Sequence, residues 1–186
     1  EALPVGLDSG LGEIERWIAQ GKETPKSATP GRVICKDIKA EYLQFQSRYK
    51  GDYSNLNIGI DLSNGMAALI VKDLIPEGEN VAYIYDTIDG SFPNHDPNPL
   101  VAENVEALKA LVAERGCDIG VIYDGDADRV MFVDEKSRFI APDLIIALMG
   151  HYWLEKRGLK GRVLQDIRSS KSVGEYLVPM GAEMAT

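Results

Sequence analysis

Apolar residues recur along this chain first with a helical period and then with alternating helical and strand periods. From Leu11 to Gln20, Leu11, Ile14 and Ile18 fall on one face with Trp17 beside them, which predicts an amphipathic helix. Asp8 and Ser9 precede it as expected caps, and Gly21 follows as the expected stop. Glu23 to Arg32 is rich in Pro, Lys, Ser and Thr and reads as a linker or exposed turn. Ile38 to Tyr49, with Tyr42, Phe45 and Tyr49 at helical spacing, predicts a second helix.

After Asn57 the pattern changes. Asn57–Leu62 alternates and has strand length, Ser63-Asn64-Gly65 makes a tight turn, and Met66–Leu74 looks helical. Val81–Asp86 is expected as a strand, Ala102–Arg115 as a helix closed by Gly116, and Asp118–Tyr123 and Val130–Asp134 as strands. A turn at 135–137 and a short strand at Phe139 complete the series. Beyond it come a helix Leu144–Lys156 with Asp143 near its start, a strand Arg162–Gln165, a helix Ser169–Val178 and a strand entered at Met184-Ala185. Strands alternating with helices predict an α/β architecture: a three-layer domain with a mixed, mainly parallel sheet between helices, closing in one hairpin, plus a partial second unit of similar type. The expected divisions are 1–36, 37–140 and 141–186, the last being the opening of a unit that is not finished.

The 186 residues are 45% hydrophobic, enough for one good core or two small ones. A net charge of −9 argues against nucleic acid or an anionic membrane as partner, although local cations can still hold a small anion. No apolar run approaches the roughly 20 residues of a membrane-spanning helix. Without a signal-like start, the chain is expected in the cytoplasm. Cys35 and Cys117 lie far apart with no CxxC or Cys/His cluster and are expected to be free thiols.

Chemistry concentrates in Asp124-Gly125-Asp126-Ala127-Asp128-Arg129. Three carboxylates at alternate positions repel one another unless a cation compensates, and hard oxygen donors suit Mg2+, Ca2+ or Mn2+. Gly125 and Ala127 are small enough for the loop to curl its carboxylates inward, and Arg129 at the rim has the fork that meets a phosphate. A calcium EF-hand loop would find Glu135 in place but needs Gly where Arg129 stands, and it needs flanking helices where strands are expected. A haloacid-dehalogenase-like phosphatase matches Asp124-Gly125-Asp126 but not Asp128, and a non-catalytic metal-binding module is a third alternative.

Further segments extend the pattern. Asp89-Gly90-Ser91-Phe92-Pro93-Asn94-His95-Asp96-Pro97-Asn98-Pro99 resembles the Gly-x-Phe-Pro-x-His-x-Pro-Asn-Pro segment of the α-D-phosphohexomutases. Ile60–Gly65 resembles the strand and turn that open that family's second domain, and Phe132–Lys136 follows the acidic loop as it does in the bacterial phosphomannomutase/phosphoglucomutase group. Asp166-Ile167-Arg168-Ser169-Ser170-Lys171 looks like the start of the third domain, and Pro4–Leu11 like the tail of the first. The resemblance is collinear over essentially the whole chain. It implies Mg2+ held by Asp124, Asp126 and Asp128, with Arg129 and Arg168 as catalytic-site residues toward phosphate and sugar.

The activity so implied is interconversion of mannose or glucose 1-phosphate and 6-phosphate through a phosphoserine enzyme and a bisphosphorylated sugar, with phosphoglucosamine mutase as the near alternative. His95 by itself reads as an ordinary polar loop residue. The sequence holds no Thr-Ala-Ser-His-Asn-Pro-like loop, so the chain is expected to be a fragment, inactive alone. An exposed edge of the unfinished unit would favour pairing with a second copy.

Overall fold

The computed structural model describes residues 4–24 and 26–185, so Pro25 of the expected linker lies outside the described residues. Two compact units are present, Glu1–Asp37 and Ile38–Thr186. In the first, a 3-10 turn at Leu7–Ser9 leads into α1, Leu11–Ala19. Neither Asp8 nor Ser9 caps this helix. Gly10, at φ 136°, takes the cap position, and the Ser9 hydroxyl instead accepts from the Gly6 amide at 2.8 Å. The expected stop forms at Gly21 (φ 61°) as a Schellman pair, with Lys22 N–H bonded to Trp17 O and Gly21 N–H to Ile18 O.

The second unit opens with α2, Lys39–Ser47, followed by β1, Ile58–Asp61. A 3-10 turn at Met66–Leu69 and the single turn α3, Val71–Leu74, occupy the expected helix, and β2 is Val81–Ile84. Another 3-10 turn, Ala102–Val105, feeds α4, Glu106–Arg115, which stops at left-handed Gly116. Strands β3, Ile119–Tyr123, β4, Val130–Asp134, and β5, Phe139–Ile140, complete a five-stranded sheet of order β2-β1-β3-β4-β5. β1 pairs parallel with β2 and β3, whereas β3, β4 and β5 run antiparallel in turn.

All four residues of β1 are buried, so the alternation expected for Asn57–Leu62 is absent. The reason is its interior place between two parallel neighbours, β2 and β3, in a mixed sheet that is covered on both faces. On one side Ile58, Ile60 and Leu62 pack with Ala67, Val71 and Val81. On the other, Val105, Leu108 and Val112 of the α4 region meet Cys117, Ile122 and Val133. Gly59 and Gly120 lie opposite each other in the β1–β3 register. A Cβ on Gly120 would stand 2.8 Å from Val112 Cγ2 and 3.1 Å from Leu108 Cδ1, so the missing side chain lets α4 settle close on the sheet. Both cysteines are free, Cys117 buried and Cys35 exposed.

The remaining residues form α5, Pro142–His151, which runs into a π-helical turn at Tyr152–Lys156, then β6, Arg162–Leu164, α6, Lys171–Leu177, and β7, Glu183–Ala185. β6 and β7 pair parallel as a separate two-stranded sheet over Val173, Leu177 and Ala182. α6 begins later than Ser169 because the Ser170 hydroxyl caps it, accepting from Ser172 N–H at 3.2 Å. Among the described residues no helix is long and apolar enough to cross a membrane.

The close seating of α4 yields a direct expectation. Gly120→Ala should lower stability by about 1–3 kcal/mol in urea unfolding, and adding Val112→Ala should cost less than the sum of the two single changes. Strict additivity would show that the helix does not lean on this glycine.

Candidate metal centre

Four of the buried polar residues, Asp61, Ser63, Asn64 and Asp124, gather at the carboxyl ends of β1 and β3. Open α/β sheets build their ligand sites at that edge. β3 ends at Tyr123, and the chain turns through 124–129 into β4, so the acidic loop is the tip of an antiparallel hairpin. Asp124 N–H donates to Arg129 O at 3.1 Å and Ala127 N–H to Asp124 O at 3.2 Å, closing the turn. Ala127 holds φ 65°, so a small residue there limits the strain of a left-handed turn.

Asp124 is wholly buried, while Asp126 and Asp128 are exposed, and carboxylate oxygens of the three lie within 4.8 Å of one another. Asp124 Oδ1 accepts the Arg129 main-chain N–H at 3.0 Å, and Oδ2 accepts Arg129 Nε–H at 2.6 Å. Burial pushes the Asp124 carboxyl up, but these bonds from Arg129 outweigh it and hold the group below the usual carboxylate range. Asp128 is pushed the other way by its hydrogen bond with Asp124 and the neighbouring charge of Asp126. Three hard carboxylates facing one side-chain cation at this spacing are a donor set that fits a divalent ion.

The loop rests on the turn after β1. Met66 N–H donates to Gly125 O at 2.9 Å, and the Ser63 hydroxyl donates to Tyr123 O at 2.6 Å. A Cβ on Gly65 would come within 2.7 Å of Gly125 O, so only glycine permits this approach. On the other side Gly125 faces Phe92 and Pro97 of the Pro-rich segment. That segment is tied back to the same turn through Asn94 Nδ2–H to Asn64 Oδ1 at 2.7 Å and Asp89 N–H to Asn64 O at 2.9 Å. Ser63, Asn64, Tyr85, Phe92 and Ala127 all take positive φ here. Such concentrated strain marks a segment whose shape the surrounding structure enforces.

Residues 35–137 match the family described as phosphoglucomutase/phosphomannomutase, alpha/beta/alpha domain II. The chain belongs to this family. It is 32% identical over 184 residues to a protein named phosphohexose mutases from Xanthomonas campestris pv. campestris strain B100, covering 97% of this chain and 41% of that one. To the phosphoglucosamine mutase of Carboxydothermus hydrogenoformans it is 32% identical over 182 residues, 92% of this chain and 40% of the relative. The chain thus spans about two fifths of these relatives' length. The crystal structure of a phosphoglucomutase/phosphomannomutase family protein from Burkholderia thailandensis superposes with a TM-score of 0.73 at 21% identity, over 93% of this chain and 37% of that one, and shares its fold.

Within this family domain, Asp124, Asp126, Asp128 and Arg129 come together as a unit. Arg168 does not join them: on the turn after β6 it is exposed and donates to Asp166, with Nε–H to Oδ1 at 2.8 Å, and this pairing holds Asp166 at about 2. His95 departs from the expected loop residue. Its side chain is only 8% exposed, and Nε2 lies 3.1 Å from Asp61 Oδ2. Sequence reading passed over Asp61 and Asn64 as site supports, because only the three-dimensional approach of three loops gives them partners.

Gly65→Ala should destabilise the domain by about 1–3 kcal/mol and shift the amide resonances of residues 125–129. Gly90→Ala, with open space around it, should change neither. Equal effects of the two would mean that the Gly65–Gly125 approach does not shape the loop.

Proposed function

We propose that Asp124, Asp126 and Asp128 hold Mg2+, and that the chain serves as the metal-bearing part of a phosphomannomutase/phosphoglucomutase. The parent reaction would interconvert hexose 1-phosphate and 6-phosphate of mannose or glucose through a phosphoserine enzyme and a bisphosphorylated sugar. The observation that carries this reading is the convergence of the three carboxylate oxygens in a family domain whose relatives are named as hexose-phosphate mutases. When bound, the cation would supply Lewis-acid neutralisation to a phosphoryl group.

The chain's own residues do the rest by position. Asp124, desolvated and fixed by two bonds from Arg129, anchors the inner side of the loop, while exposed Asp126 and Asp128 present their oxygens outward. Arg129 spends its Nε–H on Asp124, but its half-exposed guanidinium carries further donors for a phosphate oxygen. This arrangement keeps a fixed positive group beside the place where phosphate charge has to be neutralised. Arg168, always charged, suits a phosphosugar contact in binding rather than proton transfer. Phosphoglucosamine mutase is the second reading, supported by the likeness to the Carboxydothermus relative.

Calorimetric titration of the 186-residue chain with MgCl2 tests the metal. Weak binding, in the roughly millimolar range, is expected, and Asp126→Asn or Asp128→Asn should weaken it by about tenfold or more. Tight Ca2+ binding with none for Mg2+ would contradict it. With glucose or mannose 1-phosphate the chain alone should give no 6-phosphate, because its sequence holds no Ser-His-Asn-Pro loop. Turnover by the purified chain would overturn that expectation.

A further inference from the structure

Beneath the acidic loop lies a buried acid–base pair that the proposed chemistry does not use. Asp61, at the end of β1, is fully buried, and its Oδ2 sits 3.1 Å from His95 Nε2. Its other oxygen accepts the Ser63 N–H at 2.8 Å. The far side of the imidazole is fixed too: Nδ1 is 2.9 Å from the main-chain oxygen of Asp96. A carbonyl only accepts, so Nδ1 must carry its proton and donate. That settles what Nε2 and Asp61 can be. Either Nε2 is protonated and donates to a carboxylate, or Asp61 is protonated and donates to Nε2. In both states one proton sits between the two residues. Without it, the Nε2 lone pair faces a buried carboxylate, and the contact turns repulsive.

Among the described residues, His95 is the one charged or titratable side chain acting on the Asp61 carboxyl. The strand neighbours in register with Asp61 are Ile84 on β2 and Ile122 on β3, and the ring against His95 is that of Tyr85, edge-on at 5.3 Å. The interactions acting on the Asp61 carboxyl are burial, the Ser63 N–H and His95. Burial is the largest and raises the group above the ordinary carboxylate range. A group raised in the folded state stabilises it at low pH and loses that contribution as pH rises through the folded value.

The pair reaches the acidic loop by a short path. Asp61 fixes the Ser63 amide, and the Ser63 hydroxyl bonds Tyr123 O, next to Asp124. His95 follows Asn94, which bonds Asn64 in the same turn, and Met66 N–H then holds Gly125 O. We propose that Asp61 and His95 form a proton-dependent tether that positions the acidic loop, so that the loop loosens, and its cation affinity falls, when the pair gives up its shared proton at rising pH. Ordinary carboxylate sites behave oppositely, since deprotonation improves cation binding. The tether therefore has a distinctive signature: affinity that declines on the alkaline side. We rest this on the metal reading of the acidic loop, and the test accordingly carries a readout that needs no metal.

Amide protection factors of Met66 and Asp89, measured by NMR between about pH 5 and pH 9, should fall with pH in the unaltered chain. Asp61→Asn keeps an acceptor for Ser63 N–H and supplies a non-titrating Nδ2–H to His95, so its protection should stay flat across the range. His95→Ala should lower protection by about tenfold at the acidic end, where the unaltered tether is intact. Mg2+ affinity should decline toward the alkaline end in the unaltered chain but hold level in Asp61→Asn. Only His95 and His151 contribute imidazole signals, so the Nδ1 proton of His95 can be observed directly. Parallel pH profiles for the unaltered chain and Asp61→Asn, or an unprotonated His95 Nδ1, would overturn the tether. If Mg2+ bound at no pH while the protection profiles behaved as stated, the metal reading would fall and the tether would stand.

Discussion

The site depends on the close approach of two backbones, the turn after β1 and the loop after β3. Met66 N–H reaches Gly125 O at 2.9 Å, across a gap that a single Cβ on Gly65 would close. Parallel pairing of β1 with β3 brings the two ends level, and the antiparallel return of β4 turns the second end into a hairpin tip. Three carboxylates on that tip would otherwise spread apart. Here the main chain on either side is held, so their separation is set by the fold rather than by their repulsion.

Electrostatics and strain then work on the same few residues. Asp124 gives up solvent completely, and Arg129 compensates it with a main-chain and a side-chain donor from one residue. A buried carboxylate without such a partner would be strongly destabilising. Around it, left-handed Ser63, Asn64, Tyr85 and Phe92 lie in chain segments that bind one another through Asn64. The cost of those conformations is carried by hydrogen bonds that converge on one side chain, which makes Asn64 a structural hub with no chemistry of its own.

Much of this was legible in the residues. The β–α alternation from Asn57, the hairpin around Asp124–Arg129 and the glycine stops at Gly21 and Gly116 follow from period and turn chemistry, and each forms. What was not legible depended on packing. β1 reads as alternating, yet it is buried on both faces because helices cover the sheet on both sides. Asp8 and Ser9 are good capping residues, but the 3-10 turn before α1 uses Ser9 locally. Among the site residues, the aspartates announced themselves by spacing. Asp61 and His95, 34 positions apart, have no shared local signal and meet only because β1 and the Pro-rich segment end at the same edge.

The most direct test of the metal centre is paramagnetic. Mn2+ added in small amounts to the 15N-labelled chain should broaden the amide signals of residues 124–129 and 63–66 first, and Mg2+ in excess should restore them. Broadening that starts elsewhere, as at exposed Glu103 and Glu106, or that Mg2+ fails to reverse, would contradict the account.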